Sequence, residues 1–191
     1  MPKIPVGLQL YTLREPMKED FVGTLAKVAE LGYTAVEFAG YGGLSAKEMK
    51  KVLGDLGLQA ISSHVGLQQL RNGLQQEIEY CLEIGAKYLV CPWASPEKLQ
   101  DKAEFAALMA EFRKFGEACK DNGLVFCYHN HAFEFAQVDG RYVLDRIYDS
   151  VDSSLLRAEL DLYWVKKGGL DPRESLSSYK GRCPLVHVKD M

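Results

Sequence analysis

The chain has four histidines, and each stands at the end of an apolar, strand-like run: His64 in ISSHVG, His129 and His131 in FCYHNHAF, His187 in LVHVKD. None falls on a segment with helical periodicity. Alternate residues of a strand share a face, so Cys127, His129 and His131 point one way while Tyr128 and Asn130 point the other. A His-x-His pair on one strand face is a metal-ligand spacing that a buried core does not require. Asp161 is an acid in the otherwise apolar LDLYWV and shares a face with Glu159 and Tyr163; His187 shares one with Lys189. Imidazole and carboxylate together suit a divalent metal such as Mn²⁺, Zn²⁺, Co²⁺ or Mg²⁺, among which sequence does not choose.

Other residues join this set with a plainer alternative beside each. His64 is either a hydrogen-bonded structural residue or a substrate contact. Glu37, charged within the buried-looking AVEFAG, reads as a site residue rather than the edge of a solvated loop. Glu134 is out of register with His129, so it needs a bulge or turn to reach the same pocket. Lys189 either holds a substrate oxyanion or covers a rim. Trp93 and Trp164 follow strands, where aromatic walls suit a sugar face, although packed rim aromatics are commoner.

The elements that must carry these side chains alternate along the chain. Strands are expected at 6–13, 33–40, 58–66, 86–93, 124–135, 155–165 and 183–191, and helices at 19–32, 45–57, 70–85, 102–123, 141–151 and 171–180. Ser45 and Glu48 form a capping box, and Gly57 ends that helix. ELGYTAVEF, DLGLQAISS, EIGAKYLVC and DNGLVFCYH each set a glycine between a helix and the next strand, the mark of a tight return to a sheet. Such alternation means parallel strands with crossover helices, an α/β fold. The first connection, TLREPMKE, lacks a Gly-rich phosphate fingerprint, which argues against an open dinucleotide-binding sheet. Polar residues collecting at the strand C-termini argue for a barrel with one mouth. We expect a single domain, 1–191, forming a TIM (β/α)8-type barrel that is incomplete at seven strands and six helices.

Composition excludes several classes. A formal net charge of -3 leaves no basic face, so no nucleic acid is expected. No segment is apolar enough to cross a membrane, and MPKIPVGLQLYTLR is not a secretion signal. Five cysteines without a Cys-x-x-Cys spacing read as buried thiols of a reducing, cytoplasmic compartment.

With these residues in view, the chain resembles the sugar phosphate isomerase/epimerase family, the xylose-isomerase-like TIM barrels that also include endonuclease IV. GLQLYTLRE, LGYTAVEFAG, ISSHVG, YHNHAFEF, ELDLYWV and VHVKDM carry the resemblance along the whole chain. It implies a metal site with one ligand from each of the fifth to eighth strands: Glu, Asp, His and Glu. Carried over, the ligands fall at His129 (in place of the acid, with Glu134 as a substitute), Asp161 and His187, and the eighth-strand glutamate has no counterpart. The endonuclease branch needs more histidine and glutamate ligands than this chain has. The expected activity is a metal-dependent isomerase or epimerase acting on a sugar through an enediolate. His129, Asp161 and His187 hold the metal, Glu134 or His64 moves the proton, Lys189 holds an oxyanion, and Glu37, His131, Trp93 and Trp164 contact substrate. A lyase or dehydratase on a keto-sugar or keto-glycoside, or a non-catalytic truncated barrel, is the alternative. A member would continue past HVKDM, so the chain is expected to be truncated or completed by a partner, as a homo-oligomer, and to associate or be unstable alone.

Overall fold

The computed structural model describes residues 6–190. Seven parallel strands lie side by side in the order β1 (Leu8–Gln9), β2 (Ala35–Phe38), β3 (Gln59–His64), β4 (Tyr88–Cys91), β5 (Val125–His129), β8 (Arg157–Asp161) and β9 (Leu185–His187). Between β5 and β8 an antiparallel hairpin, β6 (Gln137–Val138) and β7 (Arg141–Tyr142), stands apart from that sheet. The helices are α1 (Arg14–Glu19), α2 (Phe21–Glu30), α3 (Ala46–Leu56), α4 (Leu67–Ile84), α5 (Pro96–Gln100), α6 (Lys102–Asp121), α7 (Val143–Ser150), α8 (Leu162–Lys167) and α9 (Pro172–Ser178). The architecture is an incomplete TIM barrel with β1 and β9 as its edges. The curl is tight enough that His187 on β9 meets Glu37 on β2, Nε2 to Oε2 2.6 Å, across 150 positions of sequence.

Local chemistry explains the larger elements. Ser45 and Glu48 form the capping box that starts α3, and Gly57 ends it with φ +66°. Asp101 starts α6 by accepting from the amides of Ala103 and Glu104. Outward residues of β5, Phe126 and Tyr128, are buried against Phe112 and Phe115 of α6. Each such ring contributes roughly 1.5–3 kcal/mol by leaving water. Gly116 lets α6 close on the segment before β8: a Cβ there would stand 2.2 Å from the Leu155 carbonyl oxygen.

Several boundaries differ from the sequence expectation. The first strand is two residues long, because Leu10–Leu13 coil into a 3-10 turn whose Tyr11 amide donates to the Gln9 side chain. The fifth strand stops at His129, and Phe133–Phe135 form a second 3-10 turn leading to the hairpin. The strand expected at 155–165 ends at Asp161, because its carboxylate accepts from the Trp164 amide at 3.1 Å and so starts α8. Six expected helices become nine among the described residues; α1, α5 and α8 are short additions at strand ends. Met191, the last residue of the expected seventh strand, lies outside the described residues.

Candidate metal centre

Strand parity delivers Glu37 from β2, Ser62 and His64 from β3, His129 from β5, Glu159 and Asp161 from β8 and His187 from β9 to one mouth. Two donor groups result, Glu37–His64–Glu159–His187 and His129–Asp161–His187, each with its ligand atoms within 4.8 Å of one another. His187 belongs to both. Its Nε2 lies 2.6 Å from Glu37 Oε2 and 3.5 Å from Glu159 Oε2, while Nδ1 lies 3.6 Å from Asp161 Oδ2. His64 Nε2–H donates to Glu159 Oε2 at 2.5 Å and stands 3.4 Å from Glu37 Oε1. His129 Nε2 is 3.2 Å from Asp161 Oδ2, and Lys189 Nζ is 2.5 Å from the same oxygen.

The frame is built from polar residues that sequence reading passed over. Ser62 Oγ–H and Gln9 Nε2–H donate to the two oxygens of Glu37, at 2.6 and 2.7 Å. Asn130, fully buried, accepts the Asp161 amide at 2.9 Å and donates to the Asp161 carbonyl at 3.4 Å. Asn130 thereby ties the end of β5 to the end of β8.

Charge is balanced inside the cluster. Burial pushes the Glu37 carboxyl up, but the charge of His64 and the bonds from His187 and His64 outweigh it and hold it well below the usual carboxylate range. Burial also pushes Glu159 up, helped by the neighbouring negative charge of Glu37. His64 rises to about 9 and His187 to about 10, because their carboxylate partners overcome the burial that would neutralise them. His129 goes the other way, to about 4: burial dominates, and the bond to Asp161 does not offset it. Asp161 is held far below its ordinary value, since His129, the nearby His187 ring, Lys189 and the Trp164 amide together outweigh its cost of burial.

The donors fit a divalent cation. Glu159 Oε1 and His187 Nδ1 are shut off from water without a hydrogen-bond partner, a condition that costs about 1–3 kcal/mol for each atom. Mixed imidazole and carboxylate donors suit borderline and hard divalent ions. Without a cation, Lys189 and the imidazolium of His187 supply the positive charge at Asp161 that an ion would replace, His187 giving up its proton to become a ligand.

Of the residues singled out in the sequence, His64, His129, Asp161, His187, Glu37 and Lys189 come together here. His131 lies beside them, its ring 5.0 Å from that of His129. Trp164 is 5.5 Å from His131 and rides on α8, which follows directly on β8. Trp93 stands at the end of β4, next to Pro92, whose carbonyl is 3.3 Å from His129 Nδ1. Glu134 does not join the cluster. The turn carries it to the helical side, where Tyr128 O–H and the His131 amide donate to its two oxygens at 2.7 and 2.8 Å. Burial outweighs those bonds and raises its carboxyl to about 7. Glu159 was missed as a site residue; the signal was its shared strand face with Asp161.

A curled parallel sheet whose strand ends gather acids and imidazoles at one mouth defines an enzyme-type barrel centre. The chain belongs to the xylose isomerase-like TIM barrel family, whose model matches residues 25–191. It is similar to the inosose dehydratase of Geobacillus kaustophilus, at 28% identity over 190 residues; the match covers 87% of this chain and 61% of that protein. The chain thus spans about three fifths of the length of the curated relative it matches. Among solved structures it resembles a sugar phosphate isomerase/epimerase from Parabacteroides distasonis: 26% identity, TM-score 0.85, 97% of this chain and 74% of that one. A probable 3-DHS dehydratase from Bacillus anthracis shares the fold at 13% identity, with a TM-score of 0.77 over 98% of this chain and 74% of that one.

Proposed function

We propose that the chain forms the barrel of a metal-dependent isomerase or epimerase that moves a proton beside the carbonyl of a sugar or sugar derivative through an enediolate. The observation that carries this reading is the convergence of His129, Asp161 and His187, with ligand atoms within 4.8 Å, beside a second imidazole–carboxylate group. A divalent cation held by those three residues would supply Lewis-acid stabilisation of the enediolate. With a cation bound beside it, whose charge would favour the neutral imidazole, His64 moves the proton, and Glu37 and Glu159 orient its ring. Lys189 releases Asp161 to hold the substrate oxyanion. His131, Trp93 and Trp164 form the wall against the sugar face, and Asn130 keeps Asp161 in place through its backbone.

One observation favours a second reading, a dehydratase: the curated relative at 28% identity is an inosose dehydratase. There the same enediolate expels a β-hydroxyl, which leaves as water with a proton from the enzyme. A panel of keto-sugars and keto-inositols in D2O, with Mn²⁺ present, separates the two by mass spectrometry. Isomerisation or epimerisation gives incorporation of solvent deuterium without loss of mass. Dehydration gives loss of one water. A protein that exchanges no carbon-bound proton in any member of the panel does not do this chemistry.

A further inference from the structure

Asp161 has one oxygen to offer an ion. Its Oδ1 accepts the Trp164 amide at 3.1 Å and so starts α8. Its Oδ2 has His129 Nε2 at 3.2 Å and His187 Nδ1 at 3.6 Å. Closer to Oδ2 than either imidazole is Lys189 Nζ, at 2.5 Å. A divalent ion sits about 2.0–2.2 Å from a carboxylate oxygen that ligates it. An ammonium bonded to that same oxygen takes up its lone pairs and repels the ion. Lys189 and the ion therefore contend for one atom.

Lys189 is also the group of this centre that is able to leave. Its side chain is 42% exposed, against 0% for Asp161 and 6% for His129. It stands just beyond the last residue of β9 and ends a flexible four-carbon stem. A second seat is at hand, because Nζ lies 5.8 Å from the centre of the Tyr163 ring and 5.6 Å from that of Trp164, within cation–π reach of both. Those rings belong to the first turn of α8, the turn that Asp161 caps. A small rotation of the stem thus carries the ammonium from carboxylate to rings without disturbing the cap.

We propose that Lys189 is a built-in competitor for the metal seat: it holds Asp161 Oδ2, yields it to a divalent ion, and is free to meet substrate only in the metal-loaded centre. This deepens the metal-dependent reading above and rests on it. The contact sets both affinity and order. Metal binds more weakly than the donor set alone would allow, and an oxyanion finds Lys189 available only after the ion is seated.

Calorimetric titration of Zn²⁺ into metal-stripped wild-type protein, Lys189→Met and Lys167→Met tests this. Lys167 is the control: it is exposed and lies 5.6 Å from the same Tyr163 ring, and its loss removes equal charge. Lys189→Met should bind Zn²⁺ about ten- to hundredfold tighter than wild type, the worth of one charge-assisted hydrogen bond. Lys167→Met should stay within about threefold. Lys189→Gln repeats the measurement if the methionine variant does not fold. Pulse acetylation read by peptide mass spectrometry supplies a second readout: Zn²⁺ should speed modification of Lys189 relative to Lys167 in wild-type protein. Zn²⁺ affinity that is unchanged or weaker without Lys189 overturns the proposal while the metal reading stands. Equal tightening in Lys167→Met, or Lys189 acetylation indifferent to Zn²⁺, overturns it likewise. Absence of Zn²⁺ binding in all the proteins removes both.

Discussion

Asn130 should be worth more than its size suggests. It is fully buried, and it takes the Asp161 amide at 2.9 Å. In Asn130→Ala the amide of a fully buried residue loses its acceptor, a penalty of roughly 1–3 kcal/mol. The bonds from Nδ2 to the Asp161 and His131 carbonyls, both 3.4 Å, are at the outer limit and add little. A total of about 2 kcal/mol corresponds to a fall in Tm of about 4–8 °C for a chain of this size. Thermal unfolding by circular dichroism measures it, and amide hydrogen exchange at Asp161 shows whether the lost bond is responsible. A Tm within about 1 °C of wild type, with the Asp161 amide still protected, would refute the claim that Asn130 ties β5 to β8.

Three further outcomes follow. His64 and His187 titrate near 9 and 10 when folded, against an ordinary 6.5, so their stabilisation is complete below about 6.5 and lost as pH rises through 9–10. Asp161, held below its ordinary 3.8, contributes above that value and loses its contribution in acid, and His129, near 4, favours folding less as pH falls from 6.5. Urea midpoints of metal-free protein should therefore peak near neutrality, and a midpoint that keeps rising to pH 10 would contradict the charge arrangement. Gly116→Ala should destabilise by about 1–3 kcal/mol despite alanine's better helix propensity, because its Cβ would fall 2.2 Å from a backbone oxygen; a stabilised variant would show that α6 has room to move. The edge strand β9 carries exposed Val186, followed by exposed Val188, and we expect the chain to self-associate. Sedimentation giving a stable monomer would count against that.

What could be read in advance followed from period and parity. Helix-to-strand glycines, the capping box at Ser45 and the apolar strand runs announced a parallel sheet with crossovers, and the strand-end histidines announced where its mouth would be. The failures share a cause: short polar contacts that override a β-like composition. LYWV is apolar and aromatic, as strands are, yet Asp161 caps it into α8. YHNHAFEF reads as one long strand, yet the chain turns after His129 and folds Glu134 away from the mouth, onto Tyr128. Glu134, expected as a proton carrier, accepts from Tyr128 and the His131 amide and lies outside the donor cluster. Strand parity puts Glu159 on the face of Asp161, but its partner, the imidazole of His64, lies 95 positions away and is not visible from the local sequence.

The central claim is that His129, Asp161 and His187 hold one divalent ion. Calorimetric titration of Mn²⁺ and Zn²⁺ into metal-stripped wild-type protein and Asp161→Ala tests it most directly. The account predicts saturable binding of one ion per chain in wild type, weakened at least a hundredfold in Asp161→Ala while circular dichroism shows the fold retained. A wild-type chain that binds neither ion, or an Asp161→Ala variant that binds either one as tightly as wild type, would contradict it.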